Sequence, residues 1–238
     1  PFILGWVIIV CILYAPQVTS QSQHTTFIPI AERELSNSFV RCFLKDSKGY
    51  MWIGTADGLM RYDGFKVQRY EHNPEDGGSI VNNNINVIIE DSKQQIWIGT
   101  ARGISRYNRE KDNFVNVDFN PENKNHLNNA YITTLAIDDN DQLWVGTYGG
   151  GINIYDQTKS SFYYVSGFDV HSSPLSKDYI STLLYIDGYM FSATKGGLQI
   201  FNTTTKTEAP IKYIGDDMTS KQIVSLVQDS HGDIWFST

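Results

Sequence analysis

Two cysteines in 238 residues are too few for a disulfide framework or a Cys-based zinc site. Basic charge is also scarce: 19 Lys and Arg against 26 Asp and Glu give a formal charge of -7. That leaves no electrostatic footprint for nucleic acid or for an anionic membrane surface. No segment has a helical period of useful length, and no apolar run reaches the about 20 residues of a membrane-spanning helix. The run Phe2 to Ala15 (FILGWVIIVCILYA) is uncharged but stops at 14 residues. It fits the apolar region of a secretory signal peptide, with cleavage expected near Ser20 or Gln21, although a buried core element is the alternative. The chain begins at Pro1 without a Met or a basic leader, so the start of the gene product is expected to be missing. Val10 before Cys11 argues against a lipoprotein box, and removal of residues 1–20 leaves Cys42 alone. Export without an internal disulfide is the expectation.

What is present is core-forming material, at 41% hydrophobic and 13% aromatic, which excludes a disordered chain. It is arranged as a tandem repeat. DSKGYMWIGTADGLMRYD (Asp46 to Asp63), DSKQQIWIGTARGISRYN (Asp91 to Asn108) and DDNDQLWVGTYGGGINIYD (Asp138 to Asp156) share one pattern. A degenerate copy follows at Ile186 to Asn202 and a truncated one at Asp229 to Thr238. The anchoring aromatics Trp52, Trp97, Trp144, Phe191 and Trp235 lie 45, 47, 47 and 44 residues apart. A second landmark pairs apolar residues five apart: Leu35/Val40, Ile80/Ile85, Leu127/Ile132, Leu175/Ile180 and Met218/Ile223. Each copy reads as strand, Asp-containing turn, strand, Gly-bearing turn, strand and a fourth strand (residues 66–70, 113–118 and 161–166). The fourth copy is one residue shorter and uses Asp187-Gly188, a two-residue hairpin turn. Four antiparallel strands per repeat predict an all-β chain of β-propeller blades. The blades are expected at residues 35–79, 80–126, 127–174, 175–217 and, in part, 218–238, with a lone outer strand at 25–30. That is about 4.5 blades of an expected seven-bladed ring.

The motif D-x-x-G/Q-x-x-W-I/V-G-T-x-x-G-L/I-x-R-Y-D/N resembles the two-component regulator propeller repeat over essentially residues 35–238. It lacks the landmarks of the WD repeat. The resemblance implies the periplasmic sensor region of a hybrid two-component system of the kind known from polysaccharide-degrading Bacteroidetes. It further implies an oligosaccharide or other small ligand, a homodimer, and a membrane span and histidine kinase beyond this chain. It implies no cofactor and no nucleic-acid partner.

Most recurring residues read as architecture. Trp52, Trp97, Trp144 and Trp235 are expected to pack between adjacent blades. Gly54, Gly99 and Gly146 are expected to permit close backbone or aromatic approach, and Thr55, Thr100, Thr147 and Thr194 to bond the following turn. Asp46, Asp91, Asp138 and Asp229 are turn residues, and the run Asp138 to Asp141 lacks the Gly and Glu of a calcium loop, with Leu143 and Gly149 in their places. The five histidines show no metal spacing, and no nucleophile has an evident base, so neither a catalytic nor a metal site is assigned. Strand parity puts the second-to-third-strand turns and the inter-blade connectors on one face. Two residues after the conserved Thr vary there while the frame holds, which makes Asp57, Arg102, Tyr148 and Lys195 the candidate ligand contacts. A secreted propeller lyase or glycosidase and a protein-interaction scaffold are the competing readings. The purified 238-residue chain is expected to expose blade faces and strand edges and to aggregate. Thermal melting of its size-exclusion monomer checks this, and one sharp cooperative transition contradicts it.

Overall fold

A computed structural model describes residues 39–117, 126–165, 179–210 and 222–238. The chain divides into two compact units, Pro1–Ile30 and Ala31–Thr238. The first, with the expected signal-peptide segment and the expected strand at 25–30, lies outside the described residues. In the second, eighteen strands and no helix occur among the described residues. Blade 1 holds β1 (Val40–Lys45), β2 (Met51–Thr55), β3 (Gly58–Tyr62) and β4 (Val67–Tyr70). Blade 2 holds β5 (Ile85–Glu90), β6 (Ile96–Thr100), β7 (Gly103–Asn108) and β8 (Asn113–Val117). Blade 3 holds β9 (Ile132–Ile137), β10 (Leu143–Thr147), β11 (Ile152–Asp156) and β12 (Ser161–Tyr164). Blade 4 holds β13 (Ile180–Ile186), β14 (Tyr189–Thr194), β15 (Gly197–Asn202) and β16 (Thr207–Glu208), and β17 (Ser225–Gln228) with β18 (Ile234–Ser237) begins a fifth. Each full blade is an antiparallel meander of four strands in sequence order, the architecture expected from the repeat, with strand limits displaced by at most two residues.

The blades succeed one another through their first strands, with β1 packed against β5, β5 against β9, β9 against β13 and β13 against β17. The first strand of every full blade also carries a register shift near its start, at Val40/Cys42, Ile85/Val87, Ile132/Thr134 and Ile180/Thr182. Such bulges turn one side chain out of the ladder. Arg41 there donates to Asn86 Oδ1 at 2.6 Å, and Asn86 Nδ2 donates to the Ile132 carbonyl at 2.7 Å, linking the first strands of three blades.

Between blades the decisive contact is isoleucine on glycine. A Cβ built on Gly54 would stand 2.7 Å from Ile85 Cγ2, one on Gly99 2.7 Å from Ile132 Cγ2, and one on Gly146 2.7 Å from Ile180 Cγ2. The close approach expected at these glycines is therefore made by side chains, the isoleucine of the next blade and a residue of the blade's own first strand (Cys42, Val87 or Thr134), rather than by backbone or an aromatic ring. Ile85, Ile132, Ile180 and Ile223 are all fully buried.

The tryptophans complete this core through a bond their spacing encodes. Each recurring Asp accepts the indole N–H six residues on, at 2.9 Å from Trp52, Trp97 and Trp144 and 2.8 Å from Trp235. The other carboxylate oxygen takes the backbone amides two and four residues on, as at Asp46 with Lys48 (3.0 Å) and Tyr50 (2.9 Å). One acid thus shapes the turn and satisfies a buried indole donor that would otherwise be desolvated. Blade 4 lacks both partners: the Phe191 ring has no N–H, and Asp187 (φ 46°) and Gly188 (φ 84°) form the primed hairpin turn expected there. Trp52, Trp97 and Trp144 are buried as expected, Phe191 is half-buried against the cluster of Ala193, Leu198, Ile223 and Leu226, and Trp235 stands 62% exposed. Cys42, a free thiol on β1, packs against the core cluster of blades 1 and 2, and burial pushes its pKa up to about 12.

The turn face bearing the acids also ties blades together. Ser47 Oγ donates to Glu90 at 2.7 Å and Lys93 pairs with Asp141 at 3.0 Å. Arg109 reaches back to Asp46 at 3.0 Å, and Lys206 to Asp138 at 3.2 Å. Burial opposes the ionisation of Asp46, but hydrogen bonds from Trp52, Arg109 and the Tyr50 amide outweigh it and hold the pKa below the ordinary value. Asp112 is likewise lowered: desolvation works against its charge, and the hydroxyls of Tyr107 and Tyr70 with the Arg61 guanidinium prevail.

Two outcomes follow. Gly99→Val forces Val87 and Ile132 aside and lowers stability by about 1–3 kcal/mol in chemical denaturation, as overpacked sites do. Asp46 and Asp112 titrate lower in the folded than in the unfolded chain. The stability they add is therefore fully present above about pH 4 and is lost as pH falls through their folded values. Denaturation midpoints measured between pH 5 and pH 2 fall accordingly, and Asp112→Asn flattens the dependence.

Candidate functional site

On the face opposite the acid turns, the second and third strands join through turns held by a threonine. Thr55, Thr100, Thr147 and Thr194, all fully buried, donate to the carbonyls of Gly58, Gly103, Gly151 and Gly197 at 2.8–3.0 Å. The same hydroxyls accept the amides of Asp57 (3.0 Å), Arg102 (3.1 Å), Gly150 (3.0 Å) and Gly196 (3.0 Å). With the backbone bonded internally, the side chains at the turn tips are free to differ. The glycines opening the third strands of blades 1, 2 and 4 have positive φ (Gly58 and Gly103 at 134°, Gly197 at 116°), a conformation that L side chains rarely adopt.

The residue preceding each first strand reaches the same turns. The carbonyls of Phe39, Asn84 and Tyr131 accept the amides of Ala56, Ala101 and Tyr148 at 3.0 Å. Tyr179 holds the corresponding place before β13 and bridges Tyr148. Three tyrosines consequently converge beside blades 3 and 4. The Tyr148 ring lies 5.6 Å from Tyr131 and 4.9 Å, edge-on, from Tyr179. Lys195 Nζ stands 4.4 Å from the Tyr179 centroid and 5.6 Å from that of Tyr148. Asn129 holds the cluster from below, donating to the Tyr148 carbonyl at 2.6 Å and accepting the Tyr131 amide at 2.8 Å. Tyr148 remains 51% and Tyr131 38% exposed.

Of the four residues proposed from sequence, two are brought together here, Tyr148 and Lys195. Asp57 and Arg102 are exposed on the equivalent turns of blades 1 and 2. Among the described residues neither joins the tyrosine cluster; the Asp57 carbonyl instead accepts Arg69 at 2.9 Å. Tyr131 and Tyr179 escaped notice in the sequence. Their signal was available in the aromatic residue that stands directly before the first-strand β-branched residue in three copies, Phe39, Tyr131 and Tyr179.

The cluster can offer aromatic faces, phenolic hydroxyls and one cation. Among the described residues no group of three or more His, Cys, Asp or Glu is placed to hold a metal. The acidic run of blade 3 is otherwise engaged: Asp138 with Trp144, Asn140 and Gln142, and Asp141 with Ser92 and Lys93.

Comparison with known proteins accords with this architecture. The chain is 27% identical to the extracellular domain of a hybrid two component system from B. thetaiotaomicron, with a TM-score of 0.73 over 88% of this chain and 29% of that one. A second extracellular domain from B. thetaiotaomicron shares the fold at 20% identity and a TM-score of 0.52, covering 84% of this chain and 37% of its own. A 46-residue stretch is 46% identical to histidine kinase P4 of Formosa agariphila, which is 19% of this chain and 3% of that protein. The chain thus spans under a third of the first structural relative and a small part of the kinase. The two component regulator propeller profile matches residues 34–57, 79–102, 126–149 and 217–238, passing over only the copy in which the Asp–Trp pair is lost. With that repeat recurring at the period of its blades, four of the five copies in this chain match the two component regulator propeller repeat.

Proposed function

We propose that this chain is the ligand-sensing propeller region of an exported hybrid two-component sensor, and that a glycan or oligosaccharide is what it detects. The observation that carries the reading is the exposed Tyr131–Tyr148–Tyr179 cluster with Lys195 above it, built on turns whose backbone is satisfied internally. Sugar rings present flat C–H faces that stack on aromatic rings, while their hydroxyls seek donors and acceptors such as the tyrosine hydroxyls and the lysine ammonium. A site of this kind selects its ligand by a few polar groups set among aromatic surface. The extracellular setting of the similar structures supports a periplasmic location. Signalling would run through paired sensors to a kinase beyond this chain, and its size is bounded by the difference in ligand affinity between the two states. The chain itself is assigned no catalysis.

Calorimetric titration of the intact protein with oligosaccharide pools tests this. Tyr148→Ala, at an exposed position, is expected to weaken glycan binding about tenfold or more, equivalent to about 1.4 kcal/mol, with melting unchanged. Unaltered affinity in both Tyr148→Ala and Tyr131→Ala removes the platform from the reading. Binding of a protein partner with no glycan bound sinks the sensor assignment.

A further inference from the structure

Equivalent residues line successive blade interfaces, so one interface serves as a template for the next. Between blades 1 and 2 the space beside Trp52 is filled. Arg61 lies 5.7 Å from the Trp52 centroid, bonds Tyr107 and pairs with Asp112 at 3.1 Å. The Tyr70 ring stacks on Trp52 at 6.1 Å, and its hydroxyl donates to Asp112 at 2.6 Å.

The sheet register locates the same positions one interface on. Arg61 and Arg106 are the cross-strand partners of Trp52 and Trp97. Tyr70 and Val117 pair with Leu59 and Ile104. Asp112 and Ser160, with φ of 49° and 50°, both precede a fourth strand. Between blades 2 and 3 the phenol of Tyr70 is thus replaced by Val117 and the carboxylate of Asp112 by Ser160. A cavity of about 290 Å³ opens there, lined by Arg106, Val117, Tyr155, Ser160 and Phe162 among others. Arg106 is half-buried, 5.6 Å from the Trp97 centroid, and donates to the neutral Gln95 Oε1 at 3.1 Å. Among the described residues no carboxylate pairs with it. A partly desolvated guanidinium over an indole, without an anion, is an unfilled half of the arrangement that blades 1 and 2 complete.

We propose that this cavity binds a small ring-bearing carboxylate of about monosaccharide size. The carboxylate takes the place of Asp112 and pairs with Arg106, where two parallel N–H donors suit it. The ring takes the place of Tyr70, against Val117, Tyr155 and Phe162. A uronic acid and an aromatic acid share this chemistry. The site is lined by second-, third- and fourth-strand residues, Ser160 before β12 and His126, and by none of the Tyr131–Tyr148–Tyr179 platform.

The test is calorimetric titration of the intact protein with D-glucuronate and, separately, benzoate, each against its neutral counterpart, glucose or benzyl alcohol. One acid is expected to bind at least tenfold more tightly than its counterpart, which assigns the source, and Arg106→Gln is expected to lose at least tenfold in affinity. The double variant Val117→Tyr/Ser160→Asp rebuilds the filling of the preceding interface; it is expected to abolish binding while melting at or above the parent temperature. Tyr148→Ala is expected to leave this binding intact, so the cavity and the turn face are tested separately. Failure of both acids to bind overturns the proposal, as does equal binding of acid and neutral compound, binding that survives in the double variant, or loss of its fold.

Discussion

A blade of four strands has two apolar faces and can cover neither alone, so the structure depends on how each blade seats on the one before. The seat is an isoleucine at the start of a first strand, pressed onto the glycine of the preceding second strand. Any Cβ at Gly54, Gly99 or Gly146 would come within 2.7 Å of that isoleucine, which is closer than two carbon atoms can pack. The absence of a side chain on one blade and the stiff, branched side chain on the next are therefore one constraint. In blade 4 the glycine is replaced by Ala193, which is fully buried in a smaller cluster with Ile223. The buried indoles of Trp52, Trp97 and Trp144 flank the seats, and their N–H groups are satisfied by the acids that also form the adjoining turns.

That arrangement separates structure from recognition. Threonines tie the second-to-third-strand turns to their own backbone, so Asp57, Arg102, Tyr148 and Lys195 carry no obligation to the blade. A similar freedom exists at the residue of positive φ before the fourth strands of blades 2, 3 and 4. It is Asp112 in blade 2, where it receives the hydroxyls of Tyr70 and Tyr107 and the Arg61 guanidinium. It is Ser160 in blade 3 and Lys206 in blade 4, where the ammonium turns back to Asp138 and lies 4.7 Å from the Trp144 centroid. One backbone position thus presents an acid, an alcohol or a base toward the preceding blade.

Much of this was legible because the repeat reports itself. The spacing of Trp52, Trp97 and Trp144 marks the second strands, the Asp turns and Gly turns bound them, and the first strands β1 and β9 begin and end where their β-prone runs do. The turn that replaces the acid in blade 4 was readable from Asp187-Gly188, since both residues must adopt positive φ. The roles of Asp46, Asp91 and Asp138 were half legible. Their turn function follows from local chemistry, but their bond to an indole six residues on requires the two strands of a hairpin to be laid side by side.

The sequence by itself determined the period, the strand and turn order, and the positions at which the frame holds while the tips vary. These depend on neighbours along the chain, where turn chemistry and alternation act. Tertiary structure alone decided which of those positions meet. Tyr131, Tyr148, Tyr179 and Lys195 gather because the connector before one blade lies against the turn of the last. Arg109 reaches Asp46 across 63 positions and Lys206 reaches Asp138 across 68, distances over which a linear pattern carries no information about contact. The substitution of Val117 and Ser160 for Tyr70 and Asp112 looks like ordinary drift between repeats. It acquires meaning only when two blades are stacked, because packing alone shows whether a lost side chain leaves a space.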